Sequence, residues 1–121
     1  MEMHRFLKKK LEQWHIYTMS WDLPRLNWRD PFAQKVNAVV KQMCQVTENM
    51  GGKIACSLKW QGEKKQYFYI ILPSYKALSI FTLKALPTLS MSVWSEILPE
   101  ELPNHLETYR LKFGLYRPGL E

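Results

Sequence analysis

Apolar residues recur every three or four positions between residues 30 and 50, and this is the most regular pattern in the chain. Asp30 is a favourable N-cap, and Pro31 suits the first helical position, where a missing N–H costs no hydrogen bond. Gly51 or Gly52 supplies the left-handed residue with which many helices end. The pattern therefore predicts a helix over residues 30–50 that packs one side on a sheet. Its apolar stripe comprises Phe32, Val36, Val39, Met43, Val46 and Met50.

Residues 2–17 carry a second helical stripe, with spacings of four, four and three. No periodicity follows in residues 18–29, where Pro24 pushes the residue before it toward extended geometry. Residues 1–29 are therefore predicted to form an N-terminal helix followed by an extended linker. The helical stripe comprises Met3, Leu7, Leu11 and Trp14.

Two runs of strand character surround Gly62. Residues 53–60 alternate between apolar and polar positions, and residues 64–72 are rich in aromatic and β-branched side chains. A glycine between two such runs favours a hairpin turn. The apolar positions of the first run are Ile54, Cys56, Leu58 and Trp60.

The position of the hairpin turn decides which side chains share a face of the sheet, because side chains alternate with a period of two. With the turn at Gly62 and Glu63, Cys56 lies opposite Tyr69. In this register Phe68 points to the other face, beside polar residues.

The chain between the hairpin and the C-terminus predicts two further strands. Residues 77–86 have strand character in their middle and helical residues at both ends, and the strand is the favoured interpretation. Residues 89–93 alternate Leu, Met and Val with Ser, which indicates a fourth strand with one apolar face.

A C-terminal helix is predicted after Asn104, which is a good N-cap, and Gly114 is expected to end it. Residues 115–121 are expected to form a frayed tail. The inner stripe of this helix comprises Leu102, Leu106, Tyr109 and Phe113.

The order of these elements predicts an α+β fold. We expect an antiparallel sheet of about four strands, arranged as a meander, because segregated strands and helices are typical of that class. The N-terminal, central and C-terminal helices should pack mainly on one face. The length of 121 residues is that of one ordinary domain, so residues 1–121 are predicted to be a single domain.

No motif for a cofactor or for catalysis accompanies this fold. His4, His15 and His105 lack the spacing of metal ligands, and Gly51-Gly52 follow a helix, whereas phosphate-binding loops precede one. The two cysteines, Cys44 and Cys56, are interpreted as reduced, partly buried small apolar residues, with a disulfide or redox pair as the alternative. We therefore expect no cofactor and no metal, and favour a protein that is not an enzyme.

Composition and charge add a prediction about partners. The formal net charge of +6 favours polyanions, and 16 aromatic residues exceed what a core this small needs. Basic and aromatic residues coincide on the predicted hairpin, as in sheets that bind single-stranded nucleic acid. The candidate binding residues are Lys53, Lys59, Trp60, Lys64, Lys65, Tyr67 and Tyr69.

Three functions follow from these residues and stay open. Nucleic-acid binding through the hairpin is preferred. Its alternative is interaction with an acidic protein, or homodimer formation, through exposed Trp, Tyr and Met side chains. A small enzyme or ligand-pocket protein is the third. Neither a membrane span nor an export signal is visible in the sequence, so the expected location is cytoplasmic.

Overall fold

The fold is built on an antiparallel sheet, and this computed structural model describes residues 14–22, 31–56, 65–109, 111 and 113. In that part of the chain the predicted α+β class, with a four-stranded sheet, is confirmed. The strands are β1 (His15–Asp22), β2 (Lys53–Cys56), β3 (Lys65–Leu72) and β4 (Ser95–Ile97), in the order β2-β3-β1-β4. The helices are α1 (Pro31–Asn49), α2 (Tyr75–Ala85) and α3 (Leu102–Thr108), and 3₁₀ turns lie at Met91–Val93 and Pro99–Glu101.

Strand β1 is the largest departure from the sequence prediction. Residues 15–17 belong to this strand instead of an N-terminal helix, and residues 18–22 continue it instead of forming a linker. It pairs with both β3 and β4, so the first of the described strands lies inside the sheet and the order is not that of a meander. Two long-range ladders thus outweigh the helical pattern predicted for residues 15–17.

Helix α1 is the predicted central helix, and it ends in the predicted glycine turn. Gly51 has a φ of 74°, and its N–H donates to the Glu48 carbonyl at 2.9 Å. The Gly52 N–H donates to the Thr47 carbonyl, also at 2.9 Å, which completes a Schellman motif. A Cβ atom on Gly52 would collide with the carbonyl oxygen of Ile71 on β3. The two glycines therefore fix the direction in which the chain enters β2.

The register between β2 and β3 differs by one residue from the predicted one. Cys56 lies opposite Phe68, and Ala55 lies opposite Tyr69. Because a one-residue slip exchanges the two faces of a strand, Phe68 enters the main core and Tyr69 faces the other way. The polar Gln66 shares the face of Phe68 and is buried there, where its Oε1 accepts a hydrogen bond of 2.8 Å from Nε1 of Trp21.

Residues 77–86 form most of helix α2, so the favoured strand is wrong. Ser74 caps the helix, since its Oγ accepts from the Ala77 N–H at 3.1 Å. The β-branched Thr82 is accommodated because its hydroxyl donates to the Leu78 carbonyl at 2.9 Å. The buried side chains recur with helical spacing and comprise Ala77, Leu78, Phe81, Thr82 and Ala85.

The predicted strand at residues 89–93 is also wrong. Ser90 accepts a hydrogen bond from the Ser92 N–H at 3.2 Å and begins a 3₁₀ turn over Met91–Val93. The serines that gave the alternation thus act as turn residues, as their short side chains favour. The fourth strand follows immediately as β4, and it pairs with residues 16–18 of β1.

Two apolar clusters lie on opposite faces of the sheet. Helices α1 and α2 cover the face of the main core, which includes Tyr17, Met43, Phe68, Ile70, Leu78 and Phe81. Helix α3 and the residues after it cover part of the other face, in a cluster that includes Ile16, Tyr69, Ile71, Leu102, Leu111 and Phe113. Helices α1 and α2 thus share one face, whereas the C-terminal helix α3, which was expected on the same face as α1, packs on the other. All four residues of the predicted C-terminal stripe pack in the second cluster.

Several predicted features lie outside the described residues. They are the N-terminal helix up to residue 13, the linker at residues 23–29, the N-cap at Asp30, the turn at Gly62, the helix end at Gly114 and the tail at residues 115–121.

Candidate binding surfaces

The candidate lysines of the hairpin are only partly within the described residues. Lys53 and Lys65 are exposed, and alternation along the paired strands places both on the face that α3 partly covers. Asp22 stands directly opposite Lys65 in the β1–β3 ladder, so the local charge there is balanced. Lys59, Trp60 and Lys64 lie outside the described residues.

The two candidate tyrosines contact helix α3 and the residue after it. Tyr69 is buried, and its hydroxyl lies 2.6 Å from Nδ1 of His105. Tyr67 is half-buried and stacks on Tyr109 with ring centroids 3.9 Å apart. Burial raises the pKa of Tyr69, so the phenol stays protonated at neutral pH and can donate to His105. Of the two rings, only that of Tyr67 reaches solvent.

Charge is distributed unevenly between the described residues and the rest of the chain. The described residues carry six basic and six acidic side chains, so the whole net charge of +6 belongs to the remaining residues. The described basic residues are Lys35, Lys41, Lys53, Lys65, Lys76 and Lys84, and the acidic ones are Asp22, Glu48, Glu96, Glu100, Glu101 and Glu107. The described part therefore has no general preference for polyanions, and any preference must come from local clusters.

His15 and Glu96 form a side-chain hydrogen bond between β1 and β4. Nδ1 of His15 lies 2.7 Å from Oε2 of Glu96, and the two side chains are 48% and 52% exposed. Burial, and then the charge of Glu96, raise the pKa of the neighbouring Tyr17. A carboxylate can orient a catalytic histidine, but no described serine, threonine or cysteine hydrogen-bonds to His15. This pair is explained as a surface contact that joins β1 to β4.

Exposed apolar side chains are concentrated on and just after helix α2. Four of the five large hydrophobic residues exposed in the described part lie between residues 75 and 89. They are Tyr75 (67% exposed), Ile80 (40%), Leu83 (70%) and Leu89 (36%); the fifth is Leu98. Single exposed hydrophobics are normal on a soluble surface, but a cluster marks an interaction site.

Helical geometry places four exposed residues of α2 on one side, and Tyr75 at the start of the helix lies away from them: the four are Lys76, Ile80, Leu83 and Lys84. Ile80 and Leu83 lie between Lys76 and Lys84 along the helix, opposite the buried residues of α2. Residues 75–95 contain no other charged side chain. We call the surface formed by Lys76, Ile80, Leu83 and Lys84 the α2 patch. It is an apolar strip with a positive charge at either end.

The α2 patch was not anticipated from the sequence, because residues 77–86 were assigned to a strand. Ser74 directly after Pro73 was the missed signal, since serine is a favoured N-cap. With a helix starting at residue 75, the spacing of Lys76, Ile80 and Leu83 predicts a separate outer stripe.

Comparison with known proteins gives no match: no protein-family model, curated protein or solved structure matches the chain. No helix among the described residues is long and apolar enough to cross a membrane. Within the same residues, no group of three or more His, Cys, Asp or Glu side chains could hold a metal ion. The function must therefore be argued from the surfaces themselves.

Proposed function

We propose that this chain is a non-catalytic binding domain that docks an acidic, apolar-faced segment of a partner protein on the α2 patch. The observation that carries this proposal is the concentration of exposed apolar side chains between residues 75 and 89, in a stretch whose only charges are Lys76 and Lys84. Burying exposed leucine and isoleucine side chains supplies free energy of about 1.5–3 kcal/mol for each side chain fully removed from water.

The lysines at either end of the patch favour an acidic partner. A segment with apolar residues along one side and Asp or Glu at its margins matches Ile80 and Leu83 in the middle and places opposite charge near Lys76 and Lys84. Charge complementarity of this kind selects partners and speeds their encounter. A membrane-surface helix would need a broader apolar face with more basic charge.

The same lysines argue against a second copy of this chain as the occupant. Two α2 helices that meet through the patch in antiparallel orientation place Lys76 near Lys84, and in parallel orientation they place identical lysines together. Like charges brought together across an interface are unfavourable. The patch therefore suits a different protein better than it suits homodimer formation.

The partner class can be tested with two synthetic amphipathic peptides of about 18 residues, or roughly five helical turns. Both carry the same leucine stripe, and one has glutamate where the other has lysine. We expect the acidic peptide to bind at least about tenfold more tightly in fluorescence anisotropy. Leu83→Gln should weaken its binding about tenfold, because an exposed leucine at the centre of the patch is lost. Leu98→Gln, at an exposed leucine outside the patch, is the control.

Charge reversal provides the decisive comparison within this experiment. The double variant Lys76→Glu/Lys84→Glu should prefer the basic peptide. Lys35→Glu/Lys41→Glu changes the net charge equally on α1 and should keep the preference for the acidic one. The proposal of a specific site on α2 would be contradicted if the native chain bound both peptides equally. It would also be contradicted if both double variants changed their peptide preference in the same way.

Nucleic acid is the second candidate partner, and a different surface supports it. Lys65 and the half-exposed Tyr67 lie two residues apart on one face of β3, which is the spacing at which a base could stack while a phosphate is held. The sequence places Lys59, Trp60 and Lys64 next to this strand. Nucleic-acid binding therefore requires the lysines and aromatic residues of the hairpin, whereas docking of an acidic protein segment requires the α2 patch.

A salt titration with single-stranded and double-stranded oligonucleotides tests this second candidate. Binding through Lys59, Lys64 and Lys65 should lose affinity steeply with salt, with a logarithmic slope of about −2 to −3 for three phosphate contacts. Replacing the three lysines by alanine should remove most of that slope. The control Lys35→Ala/Lys41→Ala/Lys84→Ala removes the same charge elsewhere and should leave most of it. No binding at about 50 mM salt would exclude this partner.

A further inference from the structure

The two cysteines meet where helix α1 packs on strand β2. Cys44 is buried on α1, and Cys56 is the half-buried last residue of β2. Both pack in the main core, and no disulfide joins them in the structure. The Cys56 thiol interacts with the side chain of Cys44, which brings the two thiols next to each other in this part of the core.

The position of this thiol pair in the fold is set by the glycine turn. The chain leaves α1, reverses at Gly51 and Gly52, and returns along β2, so the two cysteines occupy the two arms of one turn. The fixed turn holds the arms together before any bond forms between the sulfur atoms. A disulfide needs the two Cβ atoms within about 3.5–4.5 Å, so the interacting side chains of Cys44 and Cys56 have only a short way to move before a bond can form.

We propose that Cys44 and Cys56 are a redox site that closes to an intramolecular disulfide, with glutathione disulfide or a related small disulfide as the oxidant. This inference does not depend on the function assigned to the α2 patch. It concerns a pair of side chains in the core between α1 and β2.

The reaction with glutathione disulfide is balanced in two exchange steps. The more accessible Cys56 sulfur, as thiolate, attacks glutathione disulfide and releases one glutathione thiolate. The Cys44 sulfur then attacks the mixed disulfide, forms the Cys44–Cys56 bond and releases the second glutathione. Two thiol protons and two electrons leave the protein, and glutathione disulfide is reduced to two glutathione molecules.

The surroundings of Cys56 make thiol–disulfide exchange at this pair slow. Its hydrogen bond with Cys44, together with burial, raises the pKa of the Cys56 thiol far above its ordinary value. Because the thiolate is the attacking species, few molecules are reactive at neutral pH. The dithiol should therefore persist in reducing surroundings and close only under sustained oxidising conditions.

The test equilibrates the folded 121-residue chain in glutathione buffers of increasing oxidised fraction. Acid quench, alkylation in denaturant and intact-mass measurement follow. The dithiol form should take up two alkyl groups. The oxidised form should take up none and be about 2 Da lighter than the reduced chain. Its thermal midpoint should rise by several degrees, because the bond restricts the unfolded chain.

Two single variants separate the disulfide from ordinary thiol oxidation. Cys44→Ser should acquire a stable glutathione adduct on Cys56, and Cys56→Ser should acquire little, since Cys44 is buried. Three results would overturn the proposal: two alkylatable thiols in the most oxidising buffer, a glutathione adduct on Cys56 as the native chain's end product, or a disulfide that forms only in urea. Circular dichroism on each variant confirms that it is folded.

Discussion

Replacing Phe68 by alanine should lower the free energy of unfolding by about 3–5 kcal/mol, the usual range for a buried phenylalanine. Phe68 is fully buried on β3, between Met19 on β1 and Cys56 on β2. Its ring also meets Trp21 edge to face, with centroids 4.7 Å apart. The truncation therefore leaves a cavity among three strands and two helices, where the backbone has little freedom to close it.

The neighbouring substitution Tyr67→Ala is the control for Phe68→Ala. Tyr67 is half-buried, and its main contact is the stack on Tyr109, so we expect a loss of only about 1–2 kcal/mol. Urea unfolding with linear extrapolation measures both changes. In the register expected from the sequence, Cys56 lies opposite Tyr69, so Tyr67 would face the core and Phe68 would not. That register predicts a larger loss of unfolding free energy for Tyr67→Ala than for Phe68→Ala. A larger loss at residue 67 than at residue 68 would therefore contradict the observed pairing of β2 with β3.

Gly52→Ala is the second substitution with a large expected effect, a loss of about 3 kcal/mol in the free energy of unfolding. The new methyl group would collide with the Ile71 carbonyl oxygen, and it would lie 3.1 Å from Leu72 Cδ2 and 3.2 Å from Thr47 Cγ2. The carbonyl belongs to a strand paired on both sides, so it cannot move away easily. Either β3 or the end of α1 must shift.

Gly51→Ala separates this collision from the conformational requirement of the turn. Gly51 has a positive φ, but the nearest atom to an added Cβ is Trp14 Cη2 at 3.8 Å, an ordinary contact. We expect Gly51→Ala to lower the free energy of unfolding by about 1–2 kcal/mol, because alanine is strained in the left-handed conformation. Thermal and urea unfolding of both variants give the comparison. A larger loss at Gly51 would mean that turn conformation, and not the approach of β3, dominates this part of the fold.

The parts of the fold that sequence predicts well are those governed by local signals. Helix α1 was located to within a residue at each end, because a proline, two glycines and a long apolar stripe all agree. The α+β class and the antiparallel sheet followed from the order of such segments. The stripe of the C-terminal helix was also correct, although α3 ends at Thr108 and the predicted helix continued to residue 113.

The parts that sequence missed depend on partners distant in the chain. Strand β1 is held in the sheet by β3 and β4, which pair with it from residues 65–72 and 95–97, and no local pattern specifies those partners. Helix α2 mixes residues that favour strands with residues that favour helices, and its burial against α1 and the sheet decides the outcome. In both cases tertiary packing outweighs intrinsic propensity.

The candidate site shows the same division between local and distant information. The sequence correctly identifies Lys53 and Lys65 as exposed, because charged residues at strand ends usually are. It does not reveal that the C-terminal segment covers Tyr69, since His105, which contacts the Tyr69 hydroxyl, lies 36 positions further along. The α2 patch was hidden for a related reason: only knowledge of the helix separates its outer leucine and isoleucine from the inner ones.

The placement of β1 inside the sheet has a consequence for the order in which the chain folds. Its partners on β3 lie 43 to 57 positions away, from Asp22 with Lys65 to His15 with Leu72. Closing such long loops costs entropy before any contact compensates for it, whereas α1 and the β2–β3 pair can form from neighbouring residues. The centre of the sheet should therefore be completed late. Its two inner strands, β1 and β3, should pair only after helix α1 and the β2–β3 pair have formed.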